Sequence, residues 1–147
     1  EVISFIYKPG SNFVDVVQPI VTWFVSIFTP NSTALFAVSG LIFGFFYSRN
    51  LWYLLNRIDN RISILTFFFV LAYALINPIW NLNGFRMYTA AQVFIYGILP
   101  YLAEGNKKKL WWSISSIMFH FSFIFPVAIL LAYAIFKNRV NLYFIFF

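Results

Sequence analysis

Four side chains in this sequence could do chemistry if the fold brought them together: Asp15, Arg86, His120 and Ser122. Arg86 opens the run "NLNGFRMYTAAQVFIYGILPYLAEGNKKK" (81–109), which is apolar enough for lipid and already carries three lysines at its other end. An arginine in the first turn of a helix beginning near Gly84 is opposed by the backbone dipole, which already presents partial positive charge there. A phosphate or carboxylate removes that cost, because the exposed N–H groups, the dipole and a guanidinium together form an anion site. The competing readings are an Arg86 that reaches to lipid headgroups and one that pairs with Asp15. His120 is the one imidazole in the chain. It can stay neutral near pH 7 and move a proton, with the Ser122 hydroxyl close by. The bland reading is a structural histidine. One histidine and four scattered acids, without cysteine, show no metal-ligand spacing, so neither metal nor cofactor is expected.

Elements that could position these groups follow from composition. Of 147 residues, 62% are hydrophobic and 10% charged, far fewer charges than the roughly one quarter of a water-soluble domain. An all-α, polytopic transmembrane bundle is therefore expected, with about four spans and an interfacial helix. The net charge of +6 is spread in short basic clusters between apolar stretches, which orients membrane proteins and does not suit nucleic acid.

Residues 13–28 read as the interfacial helix, set off by Pro19 and the turn-like "TPNST" (29–33). Spans are expected over 31–48, 62–80, 84–103 and 110–136, and 142–147 reads as the start of a further helix. Asn31 or Ser32 is the expected N-cap of the first span, and Gly40 and Gly44 form a small-xxx-small pair. Arg49, Arg57 and Arg61 place the loop after that span on the cytoplasmic side, and Lys107 to Lys109 do the same for the end of the 84–103 span. Arg86 then lies at the outer face. The helix face with Arg86, Ala90, Val93 and Gly97 is small, so it should pack closely on a neighbour. The triple lysine is expected to be a topology anchor.

The 110–136 window, "LWWSISSIMFHFSFIFPVAILLAYAIF", is too long for one straight span and contains Pro126. A kinked span is preferred over two half-helices meeting near His120. Straight helices would put His120 some 15 Å deeper than Arg86, too far for both to touch one reacting centre. Neither end of the chain reads as a natural boundary, so a fragment of a longer protein is expected.

The run "NGFRMYTAAQVFIYGILPYLAEGNKKKLWWSISSIMFHFS" resembles the core of the EpsG-like family, the Wzy-type polymerases of bacterial exopolysaccharide and O-antigen synthesis. The resemblance lies in Asn83, Gly84, Arg86 and Ala90 opening a helix, the lysine-rich loop, and then Phe119, His120 and Ser122. Where many relatives have Arg-Gln, this chain has Arg86 and Met87, which leaves Gln92 as the nearby glutamine. The resemblance implies a polymerase joining repeat units carried on undecaprenyl diphosphate, at the outer leaflet of a bacterial cytoplasmic membrane. Arg86 and His120 would be catalytic; Asn83, Gln92, Ser122 and Asp15 would bind substrate. Partners would be the lipid-linked oligosaccharide, membrane lipids and other membrane proteins of polysaccharide assembly. The alternative from another class is a transporter or flippase fragment, in which His120 relays protons and Arg86 binds a substrate anion. A noncatalytic scaffold is the third reading.

Overall fold

In a computed structural model, residues 15–57, 63–76 and 85–136 are described. The protein is all-helical: among the described residues there are six α-helices, two short 3-10 turns and no strand. In chain order the helices are α1 (Val17–Phe28), α2 (Ser32–Leu55), α3 (Ile64–Ile76), α4 (Phe85–Glu104), α5 (Leu110–Phe119) and α6 (Ile124–Phe136). The 3-10 turns are Lys107–Lys109 and Phe121–Phe123. Asn83, the start expected at Gly84 and the helix expected at 142–147 lie outside the described residues.

Local chemistry explains most boundaries. Pro19 sits in the first turn of α1, where its missing N–H would have had no intrahelical partner. α1 stops at Thr29, which is extended (φ −159°) because it precedes Pro30. Asn31 caps α2, its Oδ1 accepting the Thr33 N–H at 2.9 Å. α2 then runs for 24 residues, past the expected end at Ser48 and through Arg49 and Asn50. α4 ends on Gly105, whose φ of +69° is the left-handed geometry that closes a helix.

α2 is the one described helix both long and apolar enough to cross a membrane by itself. The other apolar segments, Val17–Phe28, Ile64–Leu75 and Phe121–Phe136, are shorter. The distribution of residue types nonetheless differs from that of a soluble domain, with many large apolar side chains exposed and polar ones among the buried residues. Phe67, Phe68, Phe69 and Phe125 face outward, while Asn50, Thr89, Gln92, Ser113 and Ser116 are buried.

α4 is the central helix. α5 lies against it where Gly97 meets Ser113 and the Lys109 carbonyl, close enough that a Cβ on Gly97 would overlap both. The Ser113 hydroxyl donates to the Phe94 carbonyl across this seam at 2.9 Å. Ala90 and Val93 are fully buried, so the small face of α4 packs as its side chains predict. Gly40 and Gly44, in contrast, have nothing within 4 Å of a Cβ position.

The window from Leu110 to Phe136 is two helices broken at His120, not one kinked span. His120 is extended (φ −154°, ψ 122°), ending α5 and capping the next 3-10 turn. Pro126 explains why the break lies upstream of it. In an unbroken helix its ring would strike the Ser122 carbonyl, whereas in the first turn of α6 it displaces nothing. α6 returns along α4, with Phe123 beside Phe94 (ring centroids 5.8 Å apart) and Tyr133 beside Tyr101 (6.5 Å).

Candidate functional site

The break at His120 brings four of the predicted groups, Asp15, Arg86, His120 and Ser122, to one end of the bundle. Asp15 is buried, 8% exposed, just before α1. Its Oδ2 accepts from the Arg86 guanidinium at 2.9 Å, and its Oδ1 accepts the Phe121 N–H at 3.0 Å. The neighbouring Val16 N–H donates to the Met118 carbonyl at 3.0 Å, so two contacts fasten the start of α1 to the end of α5 and the turn that follows it. Asp15 thus ties the first turn of α4 to the residue that follows His120.

The depth expected for His120 is corrected by the same geometry. Lys109 does not begin its helix level with the end of α4; its carbonyl lies against Gly97. From Gly97 back to Arg86, and from Lys109 on to His120, the chain advances the same number of residues, about 16 Å in each antiparallel helix. His120 therefore arrives level with Arg86.

At the turn, His120 Nδ1 accepts the Ser122 N–H at 3.2 Å and lies 2.7 Å from Ser122 Oγ. A backbone N–H can only donate, so Nδ1 is the acceptor in the neutral ring and the proton is assigned to Nε2. The Ser122 hydroxyl then also donates to Nδ1. Arg86 keeps 42% of its side chain exposed. The cluster offers a cation fixed by a buried carboxylate, an imidazole N–H and a hydroxyl.

Two expected substrate-binding residues have other partners. Asp15 uses both oxygens within the fold and positions Arg86, so its effect on a ligand passes through that side chain. Gln92 is 1% exposed. Its Oε1 accepts from Asn50 Nδ2 at 2.9 Å and from the Tyr73 hydroxyl at 2.7 Å, and Asn50 also bonds the Gln92 carbonyl at 2.8 Å. Gln92 clasps α2 and α3 to α4, away from the Asp15 cluster. Sequence reasoning missed Asn50; a lone amide in an apolar helix was its only signal.

The opposite end of α4 is the basic end. Arg57 and Tyr53, at the end of α2, both bond the Glu104 carboxylate. The Tyr53 hydroxyl and then the Arg57 guanidinium hold that carboxyl below its ordinary value of 4.5. The lysine run is more than an anchor: Lys109 Nζ bonds the Tyr96 hydroxyl at 2.9 Å and lies over its ring. Among the described residues no cluster of side chains could hold a metal ion.

No known protein family, curated protein or solved structure matches this chain.

Proposed function

We propose that this chain is part of a membrane glycosyltransferase that polymerises oligosaccharide units carried on undecaprenyl diphosphate, acting at the outer face of a bacterial cytoplasmic membrane. The observation that supports it is the convergence of Arg86, Asp15 and the His120–Ser122 turn at one end of the bundle. Glycosyl transfer from such a donor expels a diphosphate, and negative charge develops on its oxygens. Arg86, held by Asp15 and partly exposed, is suited to bind those oxygens from a fixed position, so that little reorganisation is required. His120 has its Nδ1 engaged by Ser122, so in this reading the imidazole donates from Nε2 to a leaving or sugar oxygen. General-base action would require Nδ1, by displacing the Ser122 hydroxyl.

The membrane setting is supported by large apolar side chains exposed outside and polar ones inside, with Asn50, Gln92, Ser113 and Ser116 hydrogen-bonded there, an arrangement favoured when lipid is the solvent. The arrangement of the charges supports the orientation. Arg57 and Lys107–Lys109 lie towards the end of α4 opposite Arg86, about 27 Å along the helix, close to a hydrocarbon core of about 30 Å.

The test is complementation of a bacterial strain lacking its own polymerase with the membrane protein containing this chain, unaltered or as Arg86→Ala, each checked for membrane expression. Loss of long polymer in the variant, with lipid-linked single units accumulating on the outer leaflet, is the expected result. Accumulation on the inner leaflet would assign the protein to transport instead. Normal polymer from Arg86→Ala would remove the cluster from the chemistry.

A further inference from the structure

A second polar site lies at the basic end, away from the Arg86 cluster. A cavity of about 240 Å³ opens between the last two turns of α2, the end of α4 and the 105–109 turn. Its charged lining is Arg49, Lys109 and Glu104, and its donors include the amides of Asn56 and Asn106. Glu104 is already engaged by Tyr53 and Arg57. Lys109 spends one donor on Tyr96, and the Arg49 guanidinium rests over the Phe45 ring at 5.6 Å. Among the described residues neither Arg49 nor Lys109 forms an ion pair, although Glu104 shares their cavity. Two cations from different elements, with Trp52, Tyr53 and Tyr96 around them, therefore face one small space.

We propose that this cavity binds a phosphate group, with Arg49 and Lys109 as its two ligands. The chemistry is that of basic pockets between membrane helices, where guanidinium and ammonium groups take the headgroups of anionic lipids. The volume sets the class of ligand. Sites for drug-sized molecules start at about 300 Å³, so this one suits an inorganic phosphate or a phospholipid headgroup and is too small for a nucleotide or an oligosaccharide. The ring of tryptophan and tyrosine also suits interface depth, where such side chains keep an apolar body in lipid and a polar tip in water.

The test uses the full chain in nanodiscs of phosphatidylcholine with or without phosphatidylglycerol. Native mass spectrometry counts retained lipid, and tryptophan fluorescence, to which Trp52 in the cavity lining contributes, follows titration with inorganic phosphate. Preferential retention of phosphatidylglycerol, unaffected by phosphate, assigns the headgroup. Displacement by phosphate, or a saturable fluorescence change without phosphatidylglycerol, assigns the free anion; either keeps the proposal. Arg49→Gln or Lys109→Gln should weaken binding about fivefold each, while Arg49→Lys and Lys109→Arg retain most of it. Lys108→Gln, outside the lining, should cost clearly less than either, because its exposed charge is screened by salt. Equal retention of the two lipids with no response to phosphate would overturn the site. An equal loss in Lys108→Gln would also do so, by showing diffuse charge attraction. The lipid comparison on the unaltered chain decides the matter even if a glutamine variant fails to fold.

Discussion

An arginine beside a buried carboxylate can be an internal clasp or a positioned ligand, and the two uses part on substitution. Arg86→Lys keeps the charge but loses the planar fork that grips Asp15 and a phosphate together. If the diphosphate reading holds, Arg86→Lys should lower polymer synthesis about a hundredfold to a thousandfold while the protein still reaches the membrane. Asp15→Asn should give a smaller loss, because the guanidinium remains but is no longer fixed. At His120 the tautomer gives a sharper comparison. Glutamine places its amide near Nε2, and asparagine places its own near Nδ1. His120→Gln should therefore keep more activity than His120→Asn if the Nε2–H is the working group, whereas a general base would lose activity equally in both. At Glu104 the folded carboxyl is held below 4.5, so that contact contributes stability above pH 4.5 and loses it as the pH falls through the lower folded value. Tyr53→Phe should flatten this acid limb in a thermal-unfolding series from pH 6 down to about 3.

At the level of elements, the site depends on a seam that carries no chemistry. Gly97 permits α5 to lie against α4, and that approach sets the height at which α5 ends. Gly97→Val should cost about 1–3 kcal/mol through overpacking. It should also lower activity, because His120 shifts relative to Arg86; a thermal melt and the polymer assay together would reveal a loss of stability alone. The Asn50–Gln92 pair is a second seam, between α2 and α4. A double-mutant cycle with Asn50→Leu and Gln92→Leu should return a coupling of about 0.6–1.7 kcal/mol, the range of hydrogen bonds between helices in membranes. A coupling of zero would mean that the two amides find other partners.

Across the whole molecule, charge and polarity are segregated in two different ways. Cations gather at the end of α2 and in the 105–109 turn, with the Asp15–Arg86 pair at the far end of α4. Several polar side chains also lie inside while many large apolar ones, Phe67, Phe68 and Phe69 among them, lie outside. The chain has no cysteine, so single cysteines can map this orientation without background. Met87→Cys and Lys108→Cys replace exposed residues at opposite ends. In intact cells a membrane-impermeant maleimide should label the first and reach the second only after lysis. Labelling of both from outside would remove the proposed orientation, and with it the outer-leaflet site.

Sequence alone determined the helical class, a cap at Asn31 or Ser32 and the close-packed face of α4, because these depend on composition and on contacts a few residues apart. It also singled out Arg86, His120 and Asp15 as unusual charges or imidazoles in apolar surroundings. Tertiary structure alone decided what they do to one another. Asp15 meets Arg86 and Phe121 across 71 and 106 residues, and Gln92 meets Asn50 across 42. The height of His120 depended on where the 105–109 turn delivered Lys109 against Gly97. Helical periodicity gives a residue's position along its own axis. The offset between two axes comes from side chains interlocking across the seam, and that register placed His120 level with Arg86.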